Sequence, residues 1–167
     1  MNPGMRPGDL LDALDSNKVD FVLIGGLAAA LHGTTRITQD IDIAFASHRE
    51  NVERLCQVIN TQHPHEIGFG GSLSPIELTP TIVKRGSVVH LATDVGRVDL
   101  MSRVDGFNSY AALKKFSQPY EFADGKTCIV LSIDGLLKAK RFLKRPKDAQ
   151  DIVELEAIAA ARRMEAL

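Results

Sequence analysis

Short apolar runs and regularly spaced apolar positions alternate along the chain, and they predict strands interleaved with helices. The run from Phe21 to Ile24 predicts a buried strand, and residues 27 to 33 predict a short helix directly after it. Asp40 to Phe45 predicts a second strand. Because side chains of a strand alternate between its two faces, Ile41 and Ile43 are expected to enter a core.

Two more helices are predicted in the first third of the chain. Asp9 is expected to cap the first helix, and Ser47 is expected to cap the other in a capping box with Glu50. Residues 62 to 81 are rich in glycine and proline and are predicted to form a loop. The apolar positions expected to face inward from the two helices are Leu10, Leu11, Leu14, Val52, Leu55, Val58 and Ile59.

The second half of the chain continues the alternation. Residues 88 to 91 and Gly96 to Met101 predict a hairpin, residues 110 to 116 a short helix, and residues 120 to 122 and 128 to 131 two edge strands. Ser132 is expected to cap a helix that Pro146 stops, and Lys147 or Asp148 is expected to open a last helix whose inward positions are Ile152, Val153, Leu155, Ile158 and Ala159. Together these elements predict a single α/β domain over residues 1 to 167.

Composition supports an ordinary globular domain and excludes little else. The chain has 167 residues, of which 44% are hydrophobic and 25% charged, with a net charge of −1. Global charge therefore indicates neither a nucleic-acid nor a membrane partner. The first eight residues lack the apolar stretch of a signal peptide, and the longest apolar run is too short to span a bilayer. Cys56 and Cys128 have no metal-binding spacing, so buried free thiols in a cytoplasmic protein are expected.

The candidate functional residues lie after the end of the first predicted strand and at the start of the second. Gly25 and Gly26 follow a strand and precede a helix, so the backbone there can approach a phosphate beside free N–H groups. Asp40 and Asp42 share one strand face, and Asp99 lies on a later strand with its apolar neighbours on the opposite face. Carboxylates gathered in this way repel one another unless a cation lies between them, and all-oxygen ligand sets suit Mg²⁺.

These residues resemble the signature of the nucleotidyltransferase fold of polymerase β-like enzymes: Gly25-Gly26, a spacer, Asp40-Ile-Asp42-Ile, then Val98-Asp99-Leu100. The resemblance implies a central mixed β-sheet flanked by helices, with further helices at the C-terminus. It also implies the transfer of a nucleoside monophosphate from an NTP to a hydroxyl group, with release of pyrophosphate. Mg²⁺, or Mn²⁺, would be held by the three aspartates, and Asp99 would help to deprotonate the acceptor.

Four further residues are candidates for the nucleotide side of the site. Arg36 has the geometry for a phosphate, although a surface position or a salt bridge explains it equally well. Thr38 is expected mainly to order the turn. The segment from Lys138 to Asp151 resembles the helical end of minimal nucleotidyltransferases and AbiEii-type toxins, which implies active-site roles for Lys140 and Asp148, with Asp151 as the alternative to Asp148. A solvated basic helix end is the simpler explanation of the same segment.

The acceptor stays open at the level of sequence. The resemblance to AbiEii-type toxins implies tRNA or other RNA, or a protein, as the acceptor, and an antitoxin as a partner. The segment Gly25-Gly-x-Ala followed by Thr35-Arg-x-Thr-x-Asp-Ile-Asp42 also resembles small aminoglycoside and lincosamide nucleotidyltransferases, which implies a small antibiotic. A non-catalytic module of the same fold that binds a nucleotide or a partner is the third alternative.

Overall fold

The structure is a computed structural model, and it describes residues 4–167. Residues 1–3, part of the opening segment expected to lack a signal peptide, lie outside the described part. Within that part there are seven α-helices: α1 Pro7–Ser16, α2 Gly25–His32, α3 Arg49–Asn60, α4 Pro80–Val83, α5 Tyr110–Lys115, α6 Ile133–Leu143 and α7 Ala149–Glu165. None of these helices has both the length and the apolar character that crossing a membrane requires.

Eight strands complete the described chain: β1 Phe21–Ile24, β2 Asp40–Phe45, β3 His65–Ile67, β4 Leu73–Pro75, β5 Val88–Thr93, β6 Gly96–Met101, β7 Ser117–Ala123 and β8 Lys126–Leu131. They form one mixed sheet in the order β4-β3-β5-β6-β2-β1-β8-β7. β2 lies parallel to β6 and β1 lies parallel to β8, whereas the other neighbours are antiparallel. The predicted α/β fold with a central mixed sheet is confirmed.

Two groups of helices cover the sheet. Helix α1 packs on α3 and β8, while α2 packs on β1 and β2 and also on α6 and α7. Alternation along β2 buries Ile41 and Ile43 completely and leaves Asp40 and Asp42 partly exposed on the other face. Burial of the apolar faces is the main stabilising term, at roughly 25 cal/mol per Å² of apolar surface.

Several local predictions were wrong at element ends. Arg6 rather than Asp9 precedes α1, and the ring of His48 rather than the Ser47 hydroxyl caps α3 by accepting from the Asn51 N–H. Ser132 caps α6 as predicted, accepting from the Gly135 N–H. Val153, predicted to face inward, is 65% exposed.

The sheet is also larger than the sequence indicated. The segment predicted as a loop contains β3, β4 and the start of α4. β8 is an inner strand because it pairs with β1 as well as with β7. The free thiols of Cys56 and Cys128 are both buried, as expected.

Candidate active site

Two neighbouring strands in the middle of the sheet place the predicted carboxylates Asp40, Asp42 and Asp99 on one face, and we call this group the acidic edge. In the parallel pairing of β2 with β6, Asp42 lies directly opposite Asp99, and Asp40 lies opposite Arg97. Partners in such a pair are neighbours on the same face, about 4.8 Å apart along the hydrogen-bonding direction. The register therefore places Asp42 and Asp99 side by side, with Asp40 two residues before Asp42.

Each of these carboxylates has its own protein partner. The Asp99 Oδ1 atom is 2.8 Å from His90 Nδ1, and Asp40 Oδ1 is 3.5 Å from Arg97 Nε. The Asp42 carboxylate lies beside the glycine turn, where the backbone N–H of Gly26 favours its ionised form and offsets part of the rise in its pKa that burial causes. With the side chains turned to these partners, no group of three His, Cys, Asp or Glu residues in the described part converges closely enough to hold a cation.

The ionised form of Asp42 is disfavoured by burial and by neighbouring negative charges, and a bound cation would stabilise it. Burial raises the pKa of Asp42 to about 6, and the negative charges of Asp99 and Asp40 add to that rise. The donor set consists of carboxylate oxygens, which are the ligands that Mg²⁺ prefers. The chemistry of these donors therefore suits a divalent cation, and the shared-cation role of Asp40, Asp42 and Asp99 stays a prediction.

The glycine turn is shaped around Asp42 and Thr38. Gly25 has φ +68°, and a Cβ atom there would lie 2.1 Å from Asp42 Oδ2. A Cβ on Gly26 would lie 2.9 Å from Thr38 Oγ1, whose hydroxyl donates to the Asp40 carbonyl oxygen over 3.2 Å. Thr38 thus orders the turn, as predicted. A side chain at Gly26 would therefore press on Thr38 as well as occupy the space beside the start of α2.

The predicted basic residues lie across the cavity in a set of ion pairs. Arg36 donates from Nε and Nη2 to the two Asp151 oxygens, both over 2.9 Å. Lys140 Nζ lies 2.7 Å from Asp151 Oδ2 and 3.1 Å from Asp148 Oδ1. Arg145 donates from Nε to Asp148 Oδ2 over 2.6 Å. Both alternatives from the sequence, Asp148 and Asp151, are therefore partners of Lys140, whose contact with a triphosphate stays a prediction.

One cavity of about 1080 Å³ joins the two sides. Of the predicted site residues, Asp148 does not line it, because it lies fully buried behind Lys140. The predicted residues that line the cavity are Gly25, Gly26, Arg36, Thr38, Asp40, Asp42, Asp99 and Lys140. An acidic sheet edge, a glycine turn at a helix start and a set of cations thus share one space.

Comparison with protein-family models and with curated proteins finds no match. Solved structures do match. A Thermotoga maritima protein described as a candidate nucleotidyltransferase is 21% identical, with 90% of this chain and 93% of that chain covered and a TM-score of 0.57. The lincosamide antibiotic adenylyltransferase LnuA, bound to lincomycin, is 16% identical over 91% of this chain and 95% of its own, with a TM-score of 0.62.

ANT(2″)-Ia in complex with adenylyl-2″-tobramycin is also 16% identical, with 96% and 97% of the two chains covered and a TM-score of 0.57. The likeness extends over nearly the whole length of all three structures. The chain has the nucleotidyltransferase fold. At these identities the likeness concerns the fold, so residue roles and activity have to be argued from the chain itself.

Within the nucleotidyltransferase fold, three neighbours of the site were not predicted as site residues. His90 contacts Asp99, Arg97 contacts Asp40, and Arg145 contacts Asp148. The pairing of β5 with β6 places His90 opposite Asp99. The spacing of Arg145 and Asp148, three residues apart, was a readable signal for the last of these pairs.

A substitution at Gly25 tests how the glycine turn of the nucleotidyltransferase fold supports the carboxylates. Gly25→Ala is expected to cost about 1–2 kcal/mol through its positive φ and, in addition, to displace the Asp42 carboxylate. Mg²⁺ with NTP should then no longer raise the melting temperature. Gly125→Ala is the matched control, because Gly125 has φ +69° but nothing within 4 Å of its Cβ position. Equal Mg²⁺·NTP responses in both variants would contradict the role of Gly25.

Proposed function

We propose that the protein transfers a nucleoside monophosphate from an NTP to a hydroxyl group of an acceptor. A bond forms between the acceptor oxygen and the α-phosphorus, the bond between that phosphorus and the bridging oxygen breaks, and pyrophosphate leaves. The observation that carries the proposal is the opposition, within one cavity, of the acidic edge formed by Asp40, Asp42 and Asp99 to the cations Arg36, Lys140 and Arg145. A metal-bound triphosphate needs both kinds of charge.

The aspartates and the glycine turn have different roles in this proposal. Asp40, Asp42 and Asp99 would hold Mg²⁺ or Mn²⁺, and the bound cation would stabilise charge on the attacking and leaving oxygens. Asp99 also accepts the proton of the acceptor hydroxyl. Gly25 and Gly26 leave room for the triphosphate beside the start of α2.

The nucleotide side of the site is the wall formed by α6 and the loop before β2. Arg36 binds phosphate oxygens there, Thr38 keeps the loop in place, and Lys140 with Asp148 supports the same wall. Catalysis then consists mainly of positioning and of neutralising charge, which are the usual contributions in phosphoryl-group chemistry.

The charges around the cavity favour an acceptor that is not a polycation. Beyond the three aspartates of the proposed metal site, Asp105 is the one acidic residue among the described residues that line the cavity. Arg103, Lys138 and Lys147 add positive charge to the same lining. An aminoglycoside, which carries several positive charges, would meet repulsion there, whereas an RNA end would bring phosphates. RNA is therefore our first candidate for the acceptor, with a toxin role and an antitoxin partner as its extension.

A small-molecule acceptor is the second candidate. LnuA and ANT(2″)-Ia share the fold. LnuA is an antibiotic adenylyltransferase, and ANT(2″)-Ia was solved in complex with an adenylylated antibiotic. The exposed side chains of Ile37 and Phe142 line the cavity and offer apolar surface to such a compound or to a base.

A labelling experiment tests the reaction and the acceptor together. The protein is incubated with Mg²⁺ and each of the four NTPs labelled at the α-phosphate, separately with total RNA, cell protein, lincomycin and tobramycin. We expect label in RNA and release of unlabelled pyrophosphate, and no transfer from γ-labelled NTP. Label in protein or in an antibiotic would overturn RNA as the acceptor but would support the same transfer reaction. Transfer of the γ-phosphate, or no transfer from any NTP to any acceptor, would overturn the proposal.

A further inference from the structure

A chain of five ionic side chains joins the loop before β2, the helix α6 and the start of α7. In order, it runs Arg36, Asp151, Lys140, Asp148 and Arg145, with the Lys140 ammonium shared between the two carboxylates. Three cations against two anions leave a net charge of +1. One of the pairs connects segments far apart in sequence, since Arg36 and Asp151 are 115 residues apart.

The middle of this network is buried and its ends are open. Lys140 is 4% exposed, Asp151 1% and Asp148 0%. The side chains of Arg36 and Arg145 are 36% and 44% exposed, and both line the cavity. The carboxylates thus lie behind the two guanidinium groups, on the side away from the cavity.

Each arginine binds its aspartate with one edge of its guanidinium group. Arg36 uses Nε and Nη2 on Asp151, and Arg145 uses Nε and Nη2 on Asp148, over 2.6 and 3.2 Å. In the described part of the chain, Nη1 of neither arginine makes a hydrogen bond. A guanidinium group has five N–H donors in a fixed fork, so the second edge can hold another oxyanion while the first stays bound.

Both arginines are directed toward the acidic edge of the site. The nitrogen Nη2 of Arg36 lies 3.6 Å from the position a Cβ of Gly26 would take, at the start of α2. Arg145 is close enough to Asp42 to offset part of the rise in the pKa of that carboxyl that burial and the neighbouring aspartates cause. An anion bound between the two guanidinium groups would therefore face the carboxylates of β2 and β6.

We propose that Asp151 and Asp148 are positioning residues that, with Lys140 as their shared counter-ion, fix Arg36 and Arg145 as a two-arginine clamp for the polyphosphate of the substrate. The inference rests on the proposed function for the identity of that ligand. It gives the C-terminal helix a part in the site: α7 carries Asp151, and Asp148 directly precedes it. Lys140 then acts through the carboxylates, and the arginines make the contact.

The test measures binding of inorganic tripolyphosphate with Mg²⁺ to the full chain by calorimetry. Arg36→Lys keeps the charge but loses the bidentate fork, and Asp151→Asn removes the carboxylate that orients Arg36. Each is expected to weaken Kd about tenfold, and the double variant also about tenfold, because Asp151 acts through Arg36. A hundredfold loss in the double variant would mean independent effects and would overturn the positioning role.

Glu154→Gln is the matched control. Glu154 lies one turn further along α7 and joins the helix to the same loop through Thr35, over 2.7 and 2.9 Å, without contacting Arg36. Its Kd for tripolyphosphate should stay within twofold of the wild-type value. A loss equal to that of Asp151→Asn would show that any weakened link between α7 and the loop has this effect, and would overturn the inference.

The binding measurements distinguish a folding defect from a loss of the clamp, and failure of the clamp from failure of the proposed function. If Asp151→Asn does not fold, Arg36→Lys decides alone, because that side chain is partly exposed, and an unchanged Kd in the folded variant would refute the clamp. Tripolyphosphate binding that follows the expected pattern without any nucleotidyl transfer would refute the proposed function and keep the clamp. Nucleotidyl transfer by the wild type, together with an unchanged Kd for tripolyphosphate in all variants, would refute the clamp and keep the proposed function.

Discussion

Asp42→Asn is expected to abolish Mg²⁺-dependent NTP binding and, at the same time, to stabilise the metal-free protein. Burial and the charges of Asp99 and Asp40 raise the pKa of Asp42 to about 6, so its ionised form is disfavoured in the fold. Because one pKa unit corresponds to about 1.4 kcal/mol, removing the charge should add roughly 1–3 kcal/mol to the free energy of unfolding at pH 8. Transfer activity should fall at least about a hundredfold.

The pH dependence of this gain follows from the direction of the shift. A carboxyl whose folded pKa is raised contributes stability that is present at low pH and lost as pH rises through about 6. The stability difference between Asp42→Asn and wild type should therefore grow between pH 5 and pH 8. Urea unfolding at both pH values, with EDTA present, measures it. Asp124→Asn, at an exposed turn position, is the control and should change neither stability nor Mg²⁺ binding. A loss of stability in Asp42→Asn at pH 8 would contradict the account.

The second large effect is expected at Lys140. Lys140→Met keeps most of the side-chain volume but removes the ammonium from between Asp148 and Asp151, which are both buried. Two buried carboxylates would then face each other with only the partly exposed arginines as partners. We expect the free energy of unfolding to fall by about 3–5 kcal/mol, the usual cost of breaking a buried ion pair on one side.

Lys144→Met is the matched control, because Lys144 is exposed at the end of the same helix and should change stability by at most about 0.5 kcal/mol. Equal, small effects in the two variants would show that the network contributes little. Burial opposes ionisation of Asp148 and Asp151, but hydrogen bonds from the arginines and Lys140 outweigh it and lower the pKa of both carboxyls. Their stabilisation is present above the ordinary aspartate pKa and is lost as pH falls through the lowered values, so the two variants should converge in acid.

The parts of the site that sequence predicted are those that depend on neighbours in the chain. The apolar run of β1, the glycine turn and the alternation of β2 lie within 25 residues, from Phe21 to Phe45, and the bounds of both strands were correct. Asp99 was found because its strand shows the same alternation, with Val98 and Leu100 fully buried on either side.

Two strands were missed because their residues give no such signal. The residues of β3 are only partly buried and those of β4 are exposed, and β4 contains a proline, so neither strand shows an apolar face. β3 is held between β5 and β4, and β4 pairs with β3 alone at the end of the sheet. Tertiary context decides such segments more than their own composition does.

The ion network could not be predicted in detail, since Arg36 is 115 residues from Asp151, the residue that joins it to the rest of the network. The resemblance singled out Lys140 and Asp148, but it gave no partner for either residue. That Arg36 reaches Asp151, and that Arg145 occupies the open end beside Asp148, depends on how α2, α6 and α7 pack. Charged residues at helix ends have many possible partners, and only the fold selects among them.

The acidic edge of β2 and β6 is proposed to hold the cation that carries the nucleotide, and the position of that cation in a complex decides whether it does. A crystal grown with Mn²⁺ and a non-hydrolysable NTP analogue would show the ion through its anomalous scattering. We expect an anomalous peak bound by oxygens of Asp40, Asp42 and Asp99, with the triphosphate between the ion and the two arginines Arg36 and Arg145. A bound analogue whose manganese lies away from all three aspartates would contradict this expectation.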